Sequence, residues 1–179
     1  MIRGYDLPET LSRLFVIDDE LYNNYGSKLV DYLGIYLDFI DDFGYECTPQ
    51  DAIVFARTGA DGDHFAFLTK QDTVFTLEEA PIVFIQPMDF DNPIKLVAKN
   101  IKDFLSLFIT LKELYVLERF DLYQSKIDFI DDYKKNYHNV ILEREEKISL
   151  ISTELLNRIE LRTIEDAYQY IKELNKDNV

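Results

Sequence analysis

Four residues in the first half of the chain carry side chains suited to chemistry: Cys47, Asp61, Asp63 and His64. Carboxylate oxygens suit calcium and an imidazole suits zinc. A thiol with an imidazole within hydrogen-bond reach makes a nucleophile–base pair. Neither pattern is complete. The twelve-residue calcium loop ends on a glutamate, whereas position 72 is Asp72. A reactive cysteine needs surroundings that favour the thiolate, and the acidic sequence around Cys47 disfavours it. The chain has no phosphate loop, dinucleotide fingerprint or zinc-ligand cluster. Asp61 and Asp63, interleaved with Gly59 and Gly62, have a simpler use as turn formers. The reading is therefore of a protein without catalytic residues, metal or cofactor. A metal-dependent or cysteine hydrolase built on these four residues is the alternative.

Charge points to a different kind of activity. The 179 residues carry a net charge of −15, with a pI of about 4.4. Residues 1–100 hold 18 acidic and 7 basic side chains, a net of −11, against −4 for the remainder. Such a surface repels nucleic-acid backbones and attracts a basic partner. Asp18, Asp19, Glu20, Asp41, Asp42, Asp61 and Asp63 are the candidate contacts with a basic protein. The competing use of acidity is solubility alone. No run approaches the roughly 20 apolar residues of a membrane helix. The N-terminus lacks an apolar signal region and Cys47 is the only cysteine, so a cytoplasmic location is expected.

The elements that must position these residues follow from hydrophobic patterning. Residues 52–57, 64–69 and 81–86 read as antiparallel strands, rich in β-branched and aromatic side chains. Gly59 and Gly62 suit the tight turn between the first two. Val74, Phe75 and Leu77 suggest a short intervening strand. Asn92 and Pro93 suit the cap and first residue of a helix, which would carry Val97, Ile101, Phe104, Leu105 and Phe108. Residues 1–26 read as irregular with short helical turns. Ser27 can cap a helix over residues 28–42, striped by Leu29, Leu33, Leu37 and Ile40 and ended by Gly44. After Leu111 the chain reads as helical. Tyr123, Ile127, Ile130, Tyr133 and Tyr137 form one stripe, and Ile141, Ile148, Ile151, Leu155 and Ile159 another. Thr163 and Asp166 resemble a capping box before a last helix. The expectation is one α+β domain over residues 1–179: a small antiparallel sheet packed against helices (1–111), then a helical C-terminal extension (112–179). That tail packs back on the core or forms a homodimer.

The segment Gly59 to Leu68 resembles the SUKH superfamily, through Gly62, Asp63, Phe65, Ala66 and Phe67 in the pattern GDxFAF. The later apolar strand and the helix with Ala98, Ile101, Phe104 and Leu105 follow in the same order. The resemblance covers about residues 45–111. The chain has no tryptophan, which the family often carries near its start, and a longer helical tail than the family minimum. The superfamily includes fungal cell-wall-synthesis regulators and many bacterial immunity proteins. The resemblance implies an α+β fold and an immunity protein that neutralises a cognate toxin by binding and occlusion. Its partner would be a basic protein such as a secreted toxin domain. A regulatory or scaffold protein of the same fold is a weaker alternative.

Overall fold

Five strands, each hydrogen-bonded to its sequence neighbour, form one antiparallel meander: β1 (Tyr36–Ile40), β2 (Ala52–Arg57), β3 (His64–Leu68), β4 (Ile82–Ile85) and β5 (Ile94–Ala98). The structure is a computed structural model and describes residues 1–41 and 44–176. Side chains alternate across the sheet, as a period of two requires. Ile53, Phe55, Phe65, Phe67, Ile82 and Phe84 face the main core. Ala52, Val54, Ala66, Val83 and Ile85 form a smaller cluster on the other face, where Cys47 packs. Both faces are covered, so the central strands read as continuous apolar runs rather than an alternation.

The helices lie on the phenylalanine face. They are α1 (Glu9–Tyr25), α2 (Val30–Leu33), α3 (Ile101–Leu111), α4 (Lys126–Asn136), α5 (His138–Glu143), α6 (Glu145–Arg158) and α7 (Ala167–Lys176). From α3, Phe104 meets Phe55 edge-on at 5.6 Å and lies 4.9 Å from Phe65. Phe65 stacks on Phe84 at 4.3 Å. These rings join sheet to helix at the centre of the molecule. Edge strand β5 is shielded by α7: the Lys99 N–H donates to the Tyr170 hydroxyl, and Asn175 donates to the Leu96 carbonyl. Covering an edge in this way blocks pairing with another chain. The Asp103 carboxylate fixes α7, accepting two bonds of 2.5 Å from Arg162 and one of 2.7 Å from Tyr170.

The α+β class stands, with β1 and β5 flanking the expected strands β2, β3 and β4. Residues 28–42 are not one helix. Gly34, at φ 77°, closes α2 after a single turn, and β1 follows. The apolar spacing fits a helix, but a left-handed glycine ends it ten residues before Gly44. Asn92–Pro93 does not start a helix either. The Pro93 carbonyl accepts from the Gln86 N–H at 2.8 Å, and β5 begins at the next residue. The cap is Asn100, whose side chain accepts from the Asp103 N–H at 2.8 Å. Pairing of residues 94–98 with β4 keeps Asn92–Pro93 in a loop and moves the helix start to Asn100.

Residues 9–25 form one long helix rather than short turns, burying Leu11, Leu14, Ile17 and Leu21. Val74 and Phe75 form no strand: they follow a turn containing three positive-φ residues, Lys70 to Asp72, and Leu77 opens a 3-10 turn. Asp166 alone caps α7, accepting from the Gln169 N–H. The helical extension packs into the same core through Ile148, Ile151, Leu155, Ile159 and Ile171. Its first stripe is only partly covered: Ile127 is exposed and Ile130 half-buried.

Candidate partner-binding surface

Meander topology brings the β2–β3 turn and the β4–β5 loop to the same end of the sheet, because His64 lies opposite both Arg57 and Ile85. The segment after α3, with its 3-10 stretch Leu114–Arg119, runs past that end. Local geometry explains the turn. Gly62 has φ 79°, and a Cβ there would run into the ring and hydroxyl of Tyr45. Both constraints require glycine. His64 is fully buried beneath the turn, stacked on Tyr45 at 5.8 Å. Its Nδ1 lies 2.7 Å from the Gly62 carbonyl and its Nε2 lies 3.0 Å from Thr48 Oγ1. A carbonyl can only accept, so Nδ1 carries the proton and neutral Nε2 accepts from the threonine. Burial holds its pKa below 6.5, which keeps the ring neutral.

A polar network occupies the same end. Lys95, on β5, has a side chain only 10% exposed. Its ammonium donates to Gln86 Oε1 at 2.8 Å and to the Glu118 carbonyl at 2.7 Å. It also meets Asp89 at 2.9 Å and Asp121 at 3.6 Å. Gln86 turns its amide to Asp63 at 3.2 Å, and Asn92 links the loop to Asp121 at 2.9 Å. Burial raises the Asp63 pKa, opposed by the Gln86 bond and supplemented by nearby Asp61. Burial likewise raises that of Glu118. Asp89 moves down, chiefly through its hydrogen bond from Lys95.

Outside this network the loop exposes apolar side chains. Phe90 is 83% exposed and Met88 is also exposed; Leu122, after the 3-10 stretch, is exposed too. Asp61 and Asp91 are exposed at the same end, while Asp89 and Asp121 are partly exposed and face Lys95. The loop is thus held from inside by a shielded lysine while it presents an aromatic side chain within a negative field. That combination suits recognition of a basic surface, with the aromatic as anchor and the carboxylates steering approach.

Six of the seven acids proposed from sequence lie among the described residues, and their surroundings differ. Asp61 sits exposed at the turn, whereas Asp63 is buried and bonded to Gln86. Asp18 accepts from the Leu29 N–H at 2.5 Å, and Glu20 pairs with Arg158 at 2.6 Å. Asp19 is exposed on α1. Asp41 pairs with Arg3 and follows the end of β1 that lies away from the turn, since Tyr36 opposes Arg57 while Ile40 opposes Val54. Asp42 lies outside the described residues. The residues missed were Lys95, Asp89, Phe90, Asp91, Glu118 and Asp121. Met88-Asp89-Phe90-Asp91 between two prolines carried a signal, apolar and acidic residues alternating in a bounded loop, but it read as a helix entry.

His64 engages Thr48 and Gly62, and Cys47 packs against the smaller apolar cluster. Among the described residues, no group of three or more His, Cys, Asp or Glu is placed to hold a metal ion. Among the described residues, no helix is long and apolar enough to cross a membrane. Comparison of the chain with protein-family models and with curated proteins finds no match.

Proposed function

We propose that this is a non-catalytic binding protein whose β2–β3 and β4–β5 end docks a basic protein. The observation that carries the reading is Phe90, 83% exposed on a loop fastened from within by Lys95 and bordered by Asp61, Asp91 and Asp121. A large exposed aromatic has a hydration cost unless a partner covers it. An anchor held on a fixed loop loses little conformational freedom on binding. The carboxylates raise the association rate toward a cationic surface, and more so at low salt.

The resemblance of the GDxFAF segment to the SUKH superfamily gives this reading its specific form. The protein is a cytoplasmic immunity protein that occludes a cognate toxin, and many nuclease toxins are basic. The product of the neighbouring reading frame is the partner to test. Immobilised protein should capture that product, and Phe90→Ser should release it much faster. A neighbouring product that does not bind, or a protein that turns over a substrate without a partner, refutes the proposal.

A further inference from the structure

Helix α4 has no fully buried side chain, although Phe129, Ile130 and Tyr133 are on it. The reason is a cleft of about 590 Å³ beside it. Lys126, Phe129, Ile130, Tyr133 and Lys134 line one wall and recur at helical spacings of three and four, so they share one face. The end of α3 and residues 165–167 form the other walls. The walls are tied together. Tyr133 donates to the Leu111 carbonyl and Thr110 donates to the Ile164 carbonyl, each at 2.7 Å. The volume is that of a small-molecule site, for which about 300–1,000 Å³ is usual.

The cleft has two unlike ends. Eight residues of helix separate Lys126 from Lys134, a rise of about 12 Å. At one end Lys126 is neutralised by Asp166 at 2.5 Å, with exposed Glu165 beside it. At the other end Lys134 and His138 are exposed, and among the described residues neither takes part in an ion pair. This basic mouth stands out on a chain of net charge −15.

We propose that the cleft binds an amphipathic monocarboxylate. Its aliphatic chain lies along Leu111, Phe129 and Ile130, and its carboxylate meets Lys134 and His138. Glu165 repels the carboxylate from the far end and so fixes the orientation. Each methylene buried should raise affinity about fourfold, and the charge-assisted contact should contribute about tenfold or more.

Calorimetric titration of the intact protein with octanoate, decanoate and dodecanoate, below their micellar concentrations, tests this. The expected result is one site per chain, tightening about fourfold per methylene. Decanol should bind more weakly than decanoate. Lys134→Ala combined with His138→Ala should weaken decanoate about tenfold and leave decanol unchanged. Both replaced side chains are exposed, so this variant tests the contact without disturbing the core. Ile130→Glu should abolish both ligands. Absence of decanoate binding at millimolar concentration overturns the proposal, as does equal binding of decanoate and decanol, or an unchanged affinity in the double variant.

Discussion

Replacing Lys95 by Met keeps the aliphatic stem and removes the charge that joins β5, the β4–β5 loop and the segment at Glu118. Its ammonium has two hydrogen bonds below 3 Å, to Gln86 and to the Glu118 carbonyl, and two carboxylates within 4 Å. Removing one partner of a fully buried ion pair costs about 3–5 kcal/mol. Asp89 and Asp121 are 33% and 30% exposed, so water screens part of the pairing. A loss of about 2–3 kcal/mol is therefore expected after discounting for that exposure. For a chain of this size, that lowers the melting temperature by about 4–12 °C. Urea unfolding followed by circular dichroism at pH 7 measures it. The Asp89 pKa is held below 3.8 by Lys95, so its contribution is present above that value and lost as pH falls through the folded one. The difference between wild type and Lys95→Met should accordingly shrink on acidification. In an Asp89→Asn background the substitution should cost less, because the pair is already broken. A penalty below about 0.5 kcal/mol, the size of an ordinary surface change, or one independent of both pH and Asp89, would refute this account of the network.

Gly62→Ala should destabilise by about 1–2 kcal/mol from its left-handed backbone alone. Displacement of Tyr45 adds to this, so Tyr45→Ala in the same chain should leave only the backbone part in a denaturation cycle. Asp63→Asn should stabilise the protein at pH 7. Burial raises the Asp63 pKa above 3.8, so the folded state loses stability as pH rises through that raised value, and the neutral amide escapes the loss. Melting curves from pH 3 to pH 8 should converge at the acid end, and a less stable variant at pH 7 would contradict the reasoning. Asp103→Asn should weaken the Arg162 and Tyr170 contacts that fasten α7. Amide exchange should then quicken in α7 and at Lys99 before it quickens in β3.

The central strands were legible in the sequence because β2, β3 and β4 are short apolar runs bounded by Gly, Asp and Pro. The turn was legible for the same reason, since a left-handed glycine beside aspartate permits few other conformations. Elements that depend on partners were not. Strand β5 is half-exposed and follows Asn-Pro, so only its pairing with β4 marks it as a strand. Residues 29–40 satisfy a helical spacing, and Gly34 decides otherwise. The candidate surface was half legible. Asp61 is exposed at the β2–β3 turn, but Glu20 and Asp41 are engaged by Arg158 and Arg3 from distant segments. Net charge records the excess of carboxylates over cations, and only the fold determines which carboxylates the cations neutralise.

Docking of a basic protein at the β2–β3 and β4–β5 end, as proposed above, is open to direct test. The most direct measurement is interferometry of the neighbouring gene product on immobilised protein, across a salt series. Phe90→Ser should accelerate dissociation by about 30-fold or more, the cost of about 2 kcal/mol at an interface hot spot. Asp61→Asn with Asp91→Asn should slow association most at low salt, and Asp19→Asn on α1 should change neither rate. Binding that tolerates the Phe90 and aspartate changes but fails with Asp19→Asn would contradict the account.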